Sequence, residues 1–166
     1  MADPRAVLFL DVDGTLLPFG GPPLPAVEER DWDIWQSPEN TNLFKLRPDH
    51  GTRLLALPCE LMWATAWMHE ANEVIAPRIG LPQLPVVGLP EWSEEFEDEE
   101  VHWKLPTLVE VAGGRPFIWL DDEISAADEA WVAAHHSGPA LLVRVVSTDG
   151  ISEGDFARVE GFLAGL

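Results

Sequence analysis

The chain contains no tyrosine, one cysteine, and only ten lysine and arginine residues against 29 aspartates and glutamates. A single cysteine, Cys59, excludes an intrachain disulfide and a four-cysteine zinc site. Its place in the apolar run at 57–63 reads as a small buried thiol. The shortage of basic residues leaves a formal net charge of -19. A surface that acidic repels nucleic-acid phosphates and anionic headgroups out to about a Debye length. A broad nucleic-acid face is therefore not expected, and an anionic substrate would need a bound cation and a few local positive groups. Long apolar runs are also missing. The stretch at 6–10 is too short for a signal-peptide core or a membrane span, and acids follow it. These absences predict a cytoplasmic protein with no membrane partner.

With 46% hydrophobic residues in 166, the chain has material for one well-formed core, and the expectation is a single domain over 1–166. Val7-Leu8-Phe9-Leu10 runs apolar and stops at Asp11-Val12-Asp13-Gly14, the pattern of a strand buried on both faces. Residues 60–64, 116–120 and 140–146 read alike, and 84–87 is a weaker fifth. Helical patterns fill the gaps. They cover 48–57 with Pro48 at the first position, 67–79 ending at Gly80, 105–112 ending at Gly113, 125–136 capped by Ser125, and 152–163 capped by Ser152. Alternation of this kind predicts an α/β fold, a three-layer sandwich around a Rossmann-like, mostly parallel sheet of about five strands. Two stretches break the rhythm: 18–46, rich in proline, glycine and tryptophan, and 90–103, which carries the acidic run at 94–100.

Ligands of open α/β sheets bind beyond the carboxyl ends of the strands. Polar groups collect at three such ends: Asp11 with Asp13, Thr65, and Asp121 with Asp122. Four carboxylates converging there would repel one another and raise each other's pKa. A hard divalent cation relieves that repulsion, and a ligand set of oxygens alone points to Mg2+.

Asp11-Val12-Asp13-Gly14-Thr15, directly after a buried strand, resembles motif I of the haloacid dehalogenase (HAD) superfamily. Thr65 resembles motif II, Lys104 motif III, and Asp121-Asp122 the paired-acid form of motif IV, in the family's order. The resemblance implies a Mg2+-dependent phosphomonoesterase. Asp11 would be the nucleophile that becomes transiently phosphorylated. Asp13 would protonate the leaving oxygen and then activate water. Thr65 and Lys104 would hold the phosphoryl oxygens. Asp11, the main-chain carbonyl of Asp13, and Asp121 would hold the metal, while Asp122 would anchor a metal-bound water or orient Lys104. Dehalogenating relatives lack the second acid of motif I, so Asp13 argues against that chemistry.

Each residue also has a plainer reading. Asp11 and Asp13 could be turn acids, Asp121-Asp122 or Thr65 could cap helices, and Lys104 could be a surface lysine. Lys104 is one of only two lysines, however, and it opens a helix where a cation opposes the dipole. His69 and Glu70 lack a second histidine at metal spacing, and His135-His136 suit the last turn of a helix. The acidic run at 94–100 reads as a solvated loop, or more sharply as a gate that repels the wrong anions. The eight tryptophans read as core, with Trp67 the candidate stacking face near the pocket.

Neither irregular stretch could hold a full cap domain, so the resemblance implies a capless or minimally capped enzyme. Such members often act on macromolecular phosphates or borrow a lid from a partner subunit. Trp63-Ala64-Thr65-Ala66-Trp67, with Glu70-Ala71-Asn72 and Gly80-Leu81-Pro82, is similar to small HAD domains associated with RNA-repair systems, proposed to act as end-processing phosphatases. The rival from another class is a non-catalytic HAD-fold module that binds a partner. Loss of Asp11 or Asp13 would favour it, and neither is lost.

Overall fold

The computed structural model describes residues 5–20, 32–91 and 100–166. Among these residues, four strands form one parallel sheet in the order β2-β1-β3-β4, with β1 at Val7–Leu10, β2 at Glu60–Trp63, β3 at Phe117–Asp121 and β4 at Ala140–Arg144. Alternation along each strand sends side chains to two separate cores. Leu8, Leu10, Leu61, Trp63, Ile118, Leu120 and Val143 face one, and Val7, Phe9, Phe117, Trp119 and Leu142 face the other.

Helices cover both faces, which makes the three layers. The first core is closed by α2 (Pro48–Leu55), α3 (Ala76–Ile79) and α6 (Glu153–Ala164), and the second by α4 (Leu105–Ala112) and α5 (Ala126–His135). The expected caps are in place. Ser125 with Asp128 and Ser152 with Asp155 form capping boxes, and Gly80 and Gly113 end their helices in the left-handed region. Among the described residues no helix is long and apolar enough to cross a membrane.

Two expectations need correction. The weak fifth strand at 84–87 reduces to one bridge, Val86 to Trp63. Pro85 has no N–H to give a ladder, and the backbone of Leu84 is already bound, N–H and carbonyl, by the side chain of Asn72. The helix expected over 67–79 is instead a series of turns, a π-helical stretch at Ala71–Ile75, and then α3. Pro77 is the reason: it lacks the N–H that an α-helix would aim at residue 73, and its ring would strike that carbonyl. A widened turn, closed by Ala76 N–H on the Ala71 carbonyl, admits it.

Of the two irregular stretches, 21–31 and 92–99 lie outside the described residues, and with them nearly all of the acidic run read as a loop or gate. The described part of the first stretch holds a four-residue helix α1 (Trp32–Trp35) and a 3-10 helix at Thr41–Lys45. Cys59 is partly rather than fully buried.

Candidate active site

The chain passes from β1 to one neighbour, β2, and later returns on the other side as β3. The crevice between β1 and β3 is therefore the switch point of the sheet, where an open α/β fold has room for a ligand. Asp11 leaves β1 here with its N–H on the Leu120 carbonyl (3.2 Å), and Asp121 is the last residue of β3. Parallel pairing of Leu10 with Leu120 sets the two carboxylates side by side.

Lys104 joins them. It is the residue before α4, 4% exposed, with Nζ 3.1 Å from Asp11 Oδ1 and 2.8 Å from Asp121 Oδ2. The plain surface-lysine reading therefore does not describe it. Burial opposes its ammonium, but the charges of Asp11 and Asp121 outweigh that and push its pKa up. Burial likewise opposes the Asp121 carboxylate, yet Lys104 prevails and holds it below its ordinary value. Asp11 goes the other way: burial, then the charge of Asp121, push it well above the usual range despite Lys104.

Asp122 completes the acidic group. One ligand oxygen from each of Asp11, Asp121 and Asp122 falls within 4.8 Å of the others. Burial and the neighbouring Asp121 raise Asp122 to about 7. Three carboxylates with a single ammonium leave excess negative charge that these residues do not neutralise, and a hard divalent cation fits that set of oxygens. A second trio, His102, Asp121 and Glu123, is also close enough for a metal. There, however, His102 Nδ1 accepts the Lys104 N–H (3.2 Å) and Nε2 faces Glu123 Oε2 (3.2 Å), so both ring nitrogens are engaged.

Gly14 shows why motif I needs its glycine. Its φ is +70°, and a Cβ there would lie 2.4 Å from Asp122 Oδ2. A side chain there would have to displace the Asp122 carboxylate as well as adopt the left-handed φ.

Thr65 is buried behind β2, and its hydroxyl accepts the Trp67 N–H at 3.1 Å. It closes a local turn rather than capping a helix, since no helix begins between Thr65 and Glu70. Asp121-Asp122 do not cap α5 either, because Ser125 does. The partner that orients Lys104 is Asp121 rather than Asp122. His69, Glu70 and His135 are exposed. His136 is buried against Phe117, with ring centroids 4.7 Å apart.

Asp13 is held unexpectedly. Trp35 Nε1 donates to its Oδ1 at 2.8 Å, and Trp67 Nε1 lies 3.1 Å from both oxygens. Trp67 is 1% exposed, so it offers a donor to Asp13 instead of a stacking face. Trp35 and His102 are the site neighbours that sequence reasoning passed over. His102 stands two positions before Lys104, which is a weak local signal. Trp35 sits in an irregular stretch and gives none.

Residues 7–156 of the chain match the protein family described as HAD domain in Swiss Army Knife RNA repair proteins. No curated protein and no solved structure matches the chain.

Proposed function

The chain belongs to this family of HAD domains, and we propose that it is a Mg2+-dependent phosphomonoesterase working through an aspartyl-phosphate on Asp11. One observation carries the reading. A buried lysine bridges a nucleophile-type carboxylate and a second acid at the switch point of the sheet, with a third carboxylate beside them. A non-catalytic module would gain nothing from burying that much uncompensated charge.

In the first half-reaction an Asp11 carboxylate oxygen bonds to phosphorus as the ester P–O bond breaks. The departing oxygen takes the carboxyl proton of Asp13 and leaves as the alcohol. In the second, Asp13, now a carboxylate, accepts a proton from water as the water oxygen bonds to phosphorus and the Asp11–phosphorus bond breaks. Inorganic phosphate leaves, and both side chains return to their starting states. Lys104 places positive charge beside Asp11, where the phosphoryl oxygens would lie, and Thr65 supplies a hydroxyl at the neighbouring strand end. Asp11, Asp121, Asp122 and the main-chain carbonyl of Asp13 would hold Mg2+. When bound, the cation would screen the repulsion between the carboxylate and the phosphoryl group.

The substrate class is a phosphomonoester. The family description connects such domains with RNA repair, and a terminal phosphate on an RNA strand is one such ester. The net charge of -19 would confine contact to the strand end rather than the strand.

Hydrolysis of 4-nitrophenyl phosphate with Mg2+ tests the chemistry. Asp11→Asn, nearly isosteric, should lose turnover by at least a thousandfold while folding normally, and chelator should abolish wild-type activity. Full activity in Asp11→Asn would rule out this nucleophile. End-phosphorylated oligoribonucleotides hydrolysed no faster than the aryl phosphate would remove the RNA reading and leave the mechanism standing.

A further inference from the structure

Trp35 and Trp67 come from distant parts of the chain, yet both aim an indole N–H at one carboxylate. Trp35 lies at the end of α1, between β1 and α2, and Trp67 follows the Thr65 turn. Both rings are buried, at 5% and 1% exposure. The two donors approach Asp13 differently, Trp35 on Oδ1 alone and Trp67 across Oδ1 and Oδ2. An indole nitrogen only donates, so neither ring can carry the proton in catalysis. What two fixed donors can do is set the plane and rotation of the carboxylate.

The segment carrying Trp35 is itself tied down. The Asn40 side chain, buried, donates to the Trp35 carbonyl at 2.9 Å, and Gln36 Nε2 donates to the Ala66 carbonyl at 3.1 Å, beside Thr65. The Phe19 ring stands 6.3 Å from the Trp35 ring. The segment at 35–40 is thus fastened to the loops after both β1 and β2.

Resting on the reading of Asp13 as proton donor to the leaving oxygen, we propose that Trp35 and Trp67 are positioning residues that lock the Asp13 carboxyl in the orientation for that transfer. A carboxyl free to rotate about χ2 would spend most of its time facing elsewhere, and misalignment of about 1 Å is enough to slow a reaction by about a hundredfold. Trp35 and Trp67 therefore act as part of the frame around Asp13, and their contribution is specific to the proton-transfer component.

That specificity gives the test. An alkyl phosphate has a poor leaving group that must be protonated as it departs, whereas 4-nitrophenolate departs without a proton. Trp35→Phe and Trp67→Phe keep an aromatic ring and delete only the N–H and the second ring. We expect each to lower kcat/KM for an alkyl phosphate by about 10–100-fold, part of the about 10²–10⁴-fold that general acid catalysis supplies. Each should change kcat/KM for 4-nitrophenyl phosphate by less than about threefold, with inhibition by inorganic phosphate unchanged. Asp13→Asn sets the full size of the leaving-group effect.

Equal losses on both substrates would mean the rings merely support the fold, and would overturn the inference. So would no loss on either. Should Trp67→Phe fail to fold, Trp35→Phe alone decides the matter. Wild type inactive on both substrates would bring down the phosphohydrolase reading and this inference together. Active wild type, dead Asp11→Asn and substrate-independent tryptophan variants would overturn the inference alone.

Discussion

Lys104→Met removes a buried positive charge and keeps most of the side-chain volume, so the loss it causes is electrostatic. At an effective dielectric of about 20, the 3.1 Å and 2.8 Å contacts to Asp11 and Asp121 are each worth about 5–6 kcal/mol of attraction. The cost of stripping water from the ammonium offsets a large part of that. Removing one member of a buried pair still costs about 3–5 kcal/mol, because the remaining charges are left uncompensated. In a chain of this size about 1 kcal/mol shifts Tm by about 2–4 °C, so the drop should be about 6–20 °C at neutral pH with chelator present. The sign of the pH dependence is fixed as well. Without Lys104, burial raises both acids, joined at Asp11 by the repulsion of Asp121, and only His102 and the Glu123 N–H still oppose it at Asp121, so both titrate in the fold above their unfolded values. Stability held by their protonated forms is complete below about pH 4 and is lost as pH rises through the folded pKa. The gap between wild type and variant should therefore widen from pH 5 to pH 8, and Mg2+ should narrow it. Thermal unfolding followed by circular dichroism measures all three. A Tm within about 2 °C of wild type at pH 7.5, or a gap that shrinks as pH rises, would refute the charge argument.

Three further outcomes are expected. Asp122, raised to about 7 mainly by burial and then by Asp121, stabilises the metal-free fold through its protonated form. That contribution, about 2–4 kcal/mol, is present below about pH 4 and gone above about pH 7, so Mg2+ binding followed by calorimetry should tighten and release a proton across this window; affinity flat from pH 5.5 to pH 8 would contradict it. Gly14→Ala forces a left-handed φ on alanine and sets its Cβ against Asp122 Oδ2, so it should cost about 1–3 kcal/mol and weaken Mg2+ binding; unchanged Tm and affinity would show that the loops can part freely. Cys59, pushed up to about 11 by burial, should react with iodoacetamide at pH 8 about a hundredfold slower than a free thiol; a rate near that of the free thiol would show that it is not shielded.

Much of this was legible in one dimension because the relevant physics is local or periodic. Apolar runs that stop at polar residues marked the four strands, with acids after β1 and at the end of β3, Thr65 after β2 and Ser147 after β4, since strands packed inside a sheet are mainly apolar. Ser125, Ser152, Gly80 and Gly113 marked helix ends, since caps satisfy groups only a few residues away. Asp11, Asp13, Thr65 and Asp121 could be placed on one edge because strand ends collect there in any parallel sheet. The local failures have local causes too. Pro77 converted the expected helix to a π-helical turn, and Pro85 reduced a strand to a bridge.

What the one-dimensional pattern could not carry is which groups touch. By itself the sequence determined the fold class, the acidic surface, and the set of carboxylates at the sheet edge, all of which follow from composition, period and spacing. Only the tertiary structure decided that Lys104 bridges Asp11 and Asp121, that Gly14 lies against the Asp122 side chain, and that Trp35 and Trp67 meet on Asp13. Those pairings join residues from 17 to 108 positions apart. Hydrogen bonds and ion pairs act over about 3 Å, and nothing in a sequence period encodes which distant side chains the folding of a parallel sheet will bring within that distance.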